Sequence, residues 1–253
     1  MNKKIILFDV DGTIANSGDI VDNHIKNLIN RISTYFDIGI VGGGKLDKIL
    51  LQLDGLNVKH YFSECGCVYH INNSNTYLEN KYTLNIRKHV LYEKINILVK
   101  ESLYFLSKVD YLLSGNFIDL RNGMIYISLI GMNANKEERE IFIEKNKIFN
   151  YRKQLLNILI NKMVELEINN DITICEGGSV GLAIYPNEHD KVQVVSHLIN
   201  DYDYDEIHYF GDKYTQLGND YKIITHPNVI GHPVNSIDDT KRILLNMVIN
   251  RVI

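Results

Sequence analysis

Two aspartates, Asp9 and Asp11, stand two positions apart in "FDVDGT", directly after the run "KKIILF" and directly before Gly12. An aspartate is a weak base at neutral pH but a competent nucleophile toward phosphorus, and aspartyl phosphate is an established type of covalent intermediate. Mg²⁺ takes hard oxygen ligands, commonly one or two carboxylates together with a phosphate. Alternate residues at a strand end can project to the same side, so a D-x-D pair supplies both needs at once. In that chemistry Asp9 attacks and lends its second oxygen to a metal, while Asp11, also counted as a metal ligand, moves the proton on the leaving and attacking oxygens. A bare D-x-D is read equally well as a pair of turn formers.

Such residues need elements that present them. "KKIILF" is short and continuously apolar, as for a strand buried on both faces of a parallel sheet. Asp19 is a plausible N-cap for a helix carrying Ile20, Ile25, Leu28, Ile29 and Ile32. "IGIVGGG", residues 38–44, reads as a second strand running into a glycine turn, with a helix after it through Ile49, Leu50 and Leu53. In this βαβ order ligands bind at the carboxyl ends of the strands, where the aspartates and the triple glycine fall. "INNSNTYLENKYT" at 71–83 reads as a polar boundary loop. Beyond a long helical stretch, "NFIDL" and "MIYISLI" alternate around "RNG" like a hairpin, and two helices and the strand "DITIC" follow. This is an α+β insert with an antiparallel sheet. Near 177–186 the chain returns to helix ("HDKVQVVSHLIN"), strand ("EIHYFGDK") and a closing helix from Asp238.

The chain has 253 residues, 45% of them apolar and 23% charged, with a net charge of −4. These values fit a globular protein of one large or two modest domains and give no general reason to expect nucleic acid. The N-terminal apolar run ends at Asp9 after four residues, too short for a signal peptide core or a membrane span. Three cysteines, two of them spaced C-x-C, argue against a disulfide framework or zinc site and for a reducing, cytoplasmic setting. The nine histidines show no metal-site spacing such as H-E-x-x-H.

"DVDGT" after "ILF" resembles the nucleophile motif of the haloacid dehalogenase superfamily of phosphotransferases. The later parts of that pattern occur in order: Lys191 in "YPNEHDK", placed to screen phosphoryl charge, Asp212 in "FGDK" as a metal ligand, and Asp220 behind it. Together with "IGIVGGG", "FIDLRNGMIYISLIG", "KEERE", "EGGSVGLAIYP" and "GND", these stretches resemble the eukaryotic-type phosphomannomutases over nearly the whole chain. "RNGM" followed by a strand and "EER" is the most specific part. The resemblance implies an α/β architecture: a HAD-like Rossmannoid core with a parallel sheet, residues 1–79 and 184–253, plus an inserted α+β cap with an antiparallel sheet, residues 80–183. It also implies Mg²⁺, a sugar phosphate substrate, homodimerisation through the cap, and interconversion of mannose 6-phosphate and mannose 1-phosphate for GDP-mannose supply, with a hexose 1,6-bisphosphate as activator. Gly43 and Gly44 fall at the phosphate cradle, and Arg121, Asn122 and Arg139 at the cap's substrate site, where an arginine fork suits phosphate. Arg139 among "KEERE" is read alternatively as a salt-bridging surface residue.

Several positions depart from the family pattern. The motif-two serine is Gly44, leaving only the backbone N–H groups of residues 42–44 for a cradle, and Lys45 replaces an acidic residue. Family arginines fall at Gly18 and Met132, the sugar-contacting serine and aspartate at Gly181 and Ala183, and a monovalent-cation ligand at His226. The core chemistry is therefore more complete than the hexose site. A Mg-dependent phosphatase and a catalytically impaired binding protein stand as alternatives to the mutase.

Overall fold

The computed structural model describes residues 3–73, 78–216 and 218–249. The chain opens with β1 (Lys4–Phe8), α1 (Asn23–Ile32), β2 (Asp37–Val41), α2 (Leu46–Gln52), β3 (His60–Ser63), β4 (Val68–Asn72) and β5 (Leu78–Thr83). A second set follows: α3 (Tyr92–Leu106), β6 (Ile118–Leu120), β7 (Ile125–Ser128), α4 (Lys136–Phe149), α5 (Tyr151–Glu165), β8 (Ile172–Gly177) and β9 (Gly181–Pro186). It ends with α6 (Gln193–Tyr202), β10 (Glu206–Gly211), α7 (Tyr221–Ile224), β11 (Ile230–Pro233) and α8 (Ile237–Ile249). Two compact units result, one of Met1–Leu84 with His189–Ile253, the other of Asn85–Glu188. No described helix is long and apolar enough to cross a membrane.

The first unit is built on a seven-stranded sheet in the order β11-β10-β1-β2-β3-β4-β5. Its first five strands are parallel, and β4 and β5 are added antiparallel. The continuous apolar run of β1 has a direct cause: both faces of the sheet are covered. Ile6 and Phe8 pack with Ile25, Ile29 and Ile32 of α1 and Leu244 of α8. Ile5 and Leu7, pointing the other way, pack with Val194, Val195 and Leu198 of α6. Fixed from both sides, β1 and its parallel neighbours β2 and β10 set their carboxyl ends side by side.

The second unit has a four-stranded antiparallel sheet, β6-β7-β9-β8. Ile125, Ile127, Leu182 and Ile184 alternate onto one face and meet Ile95 and Leu98 of α3 and Leu155 and Leu159 of α5. On the opposite face the register aligns Asp119, Tyr126, Ala183 and Cys175.

Three expectations change. The N-cap of α1 is Asp22, whose side chain accepts from Ile25 N at 2.9 Å, and Ile20 is exposed ahead of the helix. Residues 71–83 are largely strand rather than loop, with 74–77 outside the described residues; β5 is polar because an edge strand keeps much of its side-chain surface in water. The expected domain borders at 79/80 and 183/184 would cut β5 and β9, whose hydrogen bonds tie them to the first and second sheets respectively.

Within the first unit, the ring of His60 is fully buried between two hydroxyls, Tyr69 at 2.8 Å from Nδ1 and Tyr204 at 2.8 Å from Nε2. Tyr204 donates to Asp37, which also pairs with Lys59 at 2.6 Å. Burial, reinforced by the Lys59 charge, pushes His60 from 6.5 down to about 3. The folded chain therefore keeps His60 neutral where the unfolded chain protonates it. Its contribution is intact above pH 6.5 and is lost as the pH falls toward 3, at about 1.4 kcal/mol per pH unit. Between pH 7 and pH 5 this one group removes about 2 kcal/mol of stability. Urea unfolding of the native chain and of His60→Gln at the two pH values should show a shallower loss for the variant by about that amount; equal losses would refute the assignment.

Candidate active site

Asp9 follows β1 directly, and its N–H continues the β1–β10 ladder by donating to the Phe210 carbonyl at 2.9 Å. Its carboxylate is nearly buried, and the reason it can be is Lys191. The Lys191 ammonium, 1% exposed, donates to Asp9 Oδ1 at 2.6 Å and to Asp220 Oδ1 at 2.7 Å. Tyr209 on β10 also donates to Asp220 Oδ1 at 2.5 Å, and Lys213 N donates to Asp220 Oδ2 at 2.9 Å. Lys191 lies in the turn ahead of α6 rather than on a solvated helix start. Burial opposes its charge, but Asp220 and Asp9 hold the ammonium well above its ordinary value. Burial works against Asp220 too, and Lys191 with its other donors brings that carboxyl below the usual range. For Asp9, burial, with the Asp220 and Asp212 charges, outweighs Lys191 and pushes the carboxyl up to about 7.

Asp212, at the end of β10, completes the cluster: oxygens of Asp9, Asp212 and Asp220 lie within 4.8 Å of one another. Gly12 makes this approach possible. Its φ is +91°, and a Cβ there would stand 2.6 Å from Asp212 Oδ2. Lys213 pairs with that same Oδ2, whereas Asp212 Oδ1 is buried without a hydrogen-bond partner, as is Asn219 Oδ1. A carboxylate oxygen buried without a donor, in a cluster of three carboxylates, suits a hard divalent cation such as Mg²⁺. Asp9 and Asp212 are the carboxylates to hold it; Asp220 has both oxygens occupied and acts as the anchor of Lys191. Asn219 was missed in the sequence, where an amide between Gly218 and Asp220 carries no signal of its own.

The structure corrects the reading of Asp11 as a third metal-ligating carboxylate. It is not part of the cluster. Its Oδ2 accepts from Lys48 Nζ at 2.9 Å, and its Oδ1 from Gln52 Nε2 at 2.9 Å and Gly18 N at 3.3 Å. Burial works against the charge, but the Gln52 and Lys48 bonds hold this carboxyl below its ordinary value. Lys48 and Gln52 sit four apart on α2 and so share a face, a pairing that gains meaning only once α2 is docked beside the D-x-D loop.

After β2, the glycine turn folds back on the segment following β3. Gly42 N donates to the Phe62 carbonyl at 3.0 Å, Cys65 N to the Gly42 carbonyl at 2.9 Å and Glu64 N to the Gly44 carbonyl at 3.0 Å. The Gly42 N–H is thus spent on the sheet and is no part of an anion cradle. Gly44 lies outside the left-handed region, and a Cβ there would meet Lys48 Cδ at 3.4 Å, an ordinary contact.

In the second unit, Arg121 pairs with Asp119 at 2.8 Å and lies 5.0 Å from the centre of the Tyr126 ring. The carbonyl of Asn122, between β6 and β7, accepts from Ile86 N at 2.6 Å. Arg139 donates to the carbonyls of Ala134 at 2.9 Å and Met132 at 3.2 Å, so the glutamates around it in "KEERE" do not hold it. Burial raises the Tyr126 hydroxyl pKa, opposed by the charges of Arg121, Arg152 and Arg139. Arg152, which the sequence reading passed over, is buried and cinches the β8–β9 turn through the carbonyls of Gly178, Ser179 and Gly181. Gly181 has no room for a side chain: a Cβ would stand 2.4 Å from the Ile127 carbonyl oxygen and 2.4 Å from Tyr126 Cζ and hydroxyl.

Comparison with known proteins places this arrangement. In solved structures, the chain is similar to an IMP-bound, N-terminally truncated IMP-nucleotidase of Plasmodium falciparum, with a TM-score of 0.67 and 16% identity over 98% of this chain and 68% of that one. It is also similar to a trehalose-6-phosphate phosphatase related protein, with a TM-score of 0.54 and 15% identity over 98% and 99%. At these identities the likeness concerns the HAD-like α/β fold. In sequence it is 33% identical to a phosphomannomutase of Arabidopsis thaliana over 240 residues, 93% of either chain. It is 32% identical to a phosphomannomutase of Drosophila melanogaster over 246 residues, 95% of this chain and 93% of that one. The family described as eukaryotic phosphomannomutase matches residues 25–250, and with this extent of similarity the chain belongs to that family.

Proposed function

We propose that this protein transfers a phosphoryl group on a hexose phosphate through an aspartyl phosphate at Asp9, as a phosphomannomutase acting between mannose 6-phosphate and mannose 1-phosphate, with an altered sugar site. The observation that carries the reading is the buried Asp9 carboxylate, one oxygen held by Lys191 at 2.6 Å and the group clustered with Asp212 and Asp220. Asp9 forms the bond to phosphorus as the sugar oxygen–phosphorus bond breaks, and the leaving oxygen takes the proton that the otherwise ionised Asp11 accepted from a sugar hydroxyl in the preceding transfer. In the return step Asp11 takes a proton from the other sugar hydroxyl as that oxygen accepts the phosphoryl group. Lys191 fixes the attacking carboxylate and screens charge that builds on the phosphoryl oxygens. Asp9 and Asp212 would hold Mg²⁺, which when bound would supply further neutralisation of that charge.

The second unit serves as a cap in this reading, with Arg121, Asn122 and Arg139 toward the distal phosphate. The altered sugar site rests on three observations. Position 181 is sterically closed by Tyr126 and the Ile127 carbonyl; Ala183 brings no polar group; and Gly18 faces open space where the family has an arginine. Missing cationic ligands also favour a second reading, release of the phosphoryl group to water, because a loosely gripped substrate excludes water poorly. Intact Asp9, Lys191, Asp212 and Asp220 speak against a merely binding role. The reading brings with it a hexose 1,6-bisphosphate activator, dimerisation through the cap and a cytoplasmic setting, the last supported by three free cysteines.

Phosphorus NMR with Mg²⁺, mannose 1-phosphate and catalytic glucose 1,6-bisphosphate tests the proposal. Isomerised sugar phosphate is the expected result; free phosphate selects the hydrolytic reading, and an unchanged spectrum rejects both. Asp9→Asn should reduce turnover by roughly 10³-fold or more, and Asp11→Asn by roughly 10²- to 10⁴-fold. Restoring the two family hydroxyls separates the two lost positions. Gly181→Ser should destabilise the fold by about 1–3 kcal/mol through overpacking, whereas Gly44→Ser should stay within about 0.5 kcal/mol of the native chain. Urea midpoints measure both, and equal effects would contradict the steric argument.

A further inference from the structure

The glycine at position 44 leaves the phosphate cradle without a hydroxyl donor, and what occupies that place is a lysine stem. Lys48, on the first turns of α2, runs past the bare Gly44 with Cδ 3.4 Å from where a Cβ would be. Its ammonium makes one hydrogen bond among the described residues, to Asp11 Oδ2 at 2.9 Å. An ammonium carries three donors, so two remain for a ligand. Two other lysines at the strand ends are placed differently. Lys191 is fully buried and divided between two carboxylates, and Lys213 is paired with Asp212. The Lys48–Asp11 pair is about half exposed, at 46% and 38% of the two side chains, and exposed pairs of this kind are weak. Gln52, itself only 3% exposed, still holds Asp11 Oδ1 when the lysine lets go.

We infer that Lys48 is a phosphate-binding residue, contributing from α2 the positive charge and N–H donors that stand in for the absent hydroxyl at position 44. Its stem is already aligned on the cradle, and its ammonium bridges the Asp11 carboxylate and an oxygen of the phosphoryl group. Charge-assisted bonds to a phosphate dianion exceed the exposed ion pair that they replace. The inference rests on the phosphoryl-transfer reading of the site, but it concerns binding and can be tested apart from turnover.

The test uses the full chain with Mg²⁺ and inorganic phosphate as probe, with binding followed by calorimetry, alongside kinetics with mannose 1-phosphate. Lys48→Met should weaken phosphate binding at least tenfold and raise KM more than it lowers kcat, with Lys48→Arg recovering part of the loss. If Lys48 only kept Asp11 in place, Lys48→Met would have no effect on phosphate affinity in an Asp11→Asn background; the inference requires the weakening to persist there. Adding Gly44→Ser should restore affinity by a larger factor in Lys48→Met than in the native chain, because the two groups serve one oxygen site. Phosphate affinity unchanged within threefold in Lys48→Met, with a native urea midpoint, would overturn the inference. Lys48-dependent phosphate binding without sugar phosphate turnover would instead overturn the mutase reading and leave this one standing.

Discussion

An ammonium group with no access to water must be surrounded by its own counter-charges, and at Lys191 this requirement organises the first unit. Asp9, from the end of β1, comes from the opposite end of the chain, while Tyr209 on β10 and Asp220 in the loop beyond supply the other partners. Removing any one of the charged members would leave an uncompensated buried charge, which costs far more than a surface pair contributes. The parallel pairing of β1 with β10 is therefore both a packing solution and an electrostatic one. It brings Asp9 and the segment that carries Asp220 after β10 to one end of the sheet, where a single lysine can satisfy both acids. Asp220 is then a structural anion, saturated by three donors, and Asp212 keeps an unsatisfied oxygen.

What the sequence made legible was whatever short-range pattern determines. The doubly buried β1 reads as an apolar run because both of its faces are covered, and the β6–β7 hairpin reads through its "RNG" turn. The D-x-D and G-D motifs read as chemistry through their order along the chain and the family they resemble, since aspartates at strand ends serve equally well as turn formers. Elements whose composition reflects one-sided or edge exposure were not legible: β5 looks like a loop because its side chains are polar, and β11 is four residues long with little burial. Partners chosen by docking were not legible either. Nothing local announces that Lys48 and Gln52 would meet Asp11, that Arg152 would bind three carbonyls, or that Asn219 would bury an oxygen.

The same limit separates positions that look alike on paper. Gly44 and Gly181 both stand where the family carries a serine, and the sequence presents them as equivalent losses. In the structure a Cβ at 44 would make ordinary contacts with Lys48 and Ile49, whereas one at 181 would collide with an aromatic ring and a backbone carbonyl. A long side chain can move aside at little cost, whereas a ring anchored by its hydroxyl to the Gly177 carbonyl and a carbonyl fixed in a ladder cannot. The first loss is thus open to compensation within the same site; the second is part of a different packing.

That difference bears on what each unit can recognise. Tyr126, with its hydroxyl donated to the Gly177 carbonyl at 3.1 Å and its ring beside Arg121, presents an aromatic surface amid guanidinium groups. Guanidinium groups attract phosphate strongly without regard to what the phosphate is attached to. A site built to hydrogen-bond hydroxyls discriminates sharply between substrates because a wrong one leaves polar groups unpaired, while apolar contact discriminates weakly. Under the proposed function, glycine at 181 and alanine at 183 would relax the reading of hydroxyl stereochemistry and leave phosphate attraction intact, so loss of sugar ligands and retention of the acidic cluster are physically compatible in one chain.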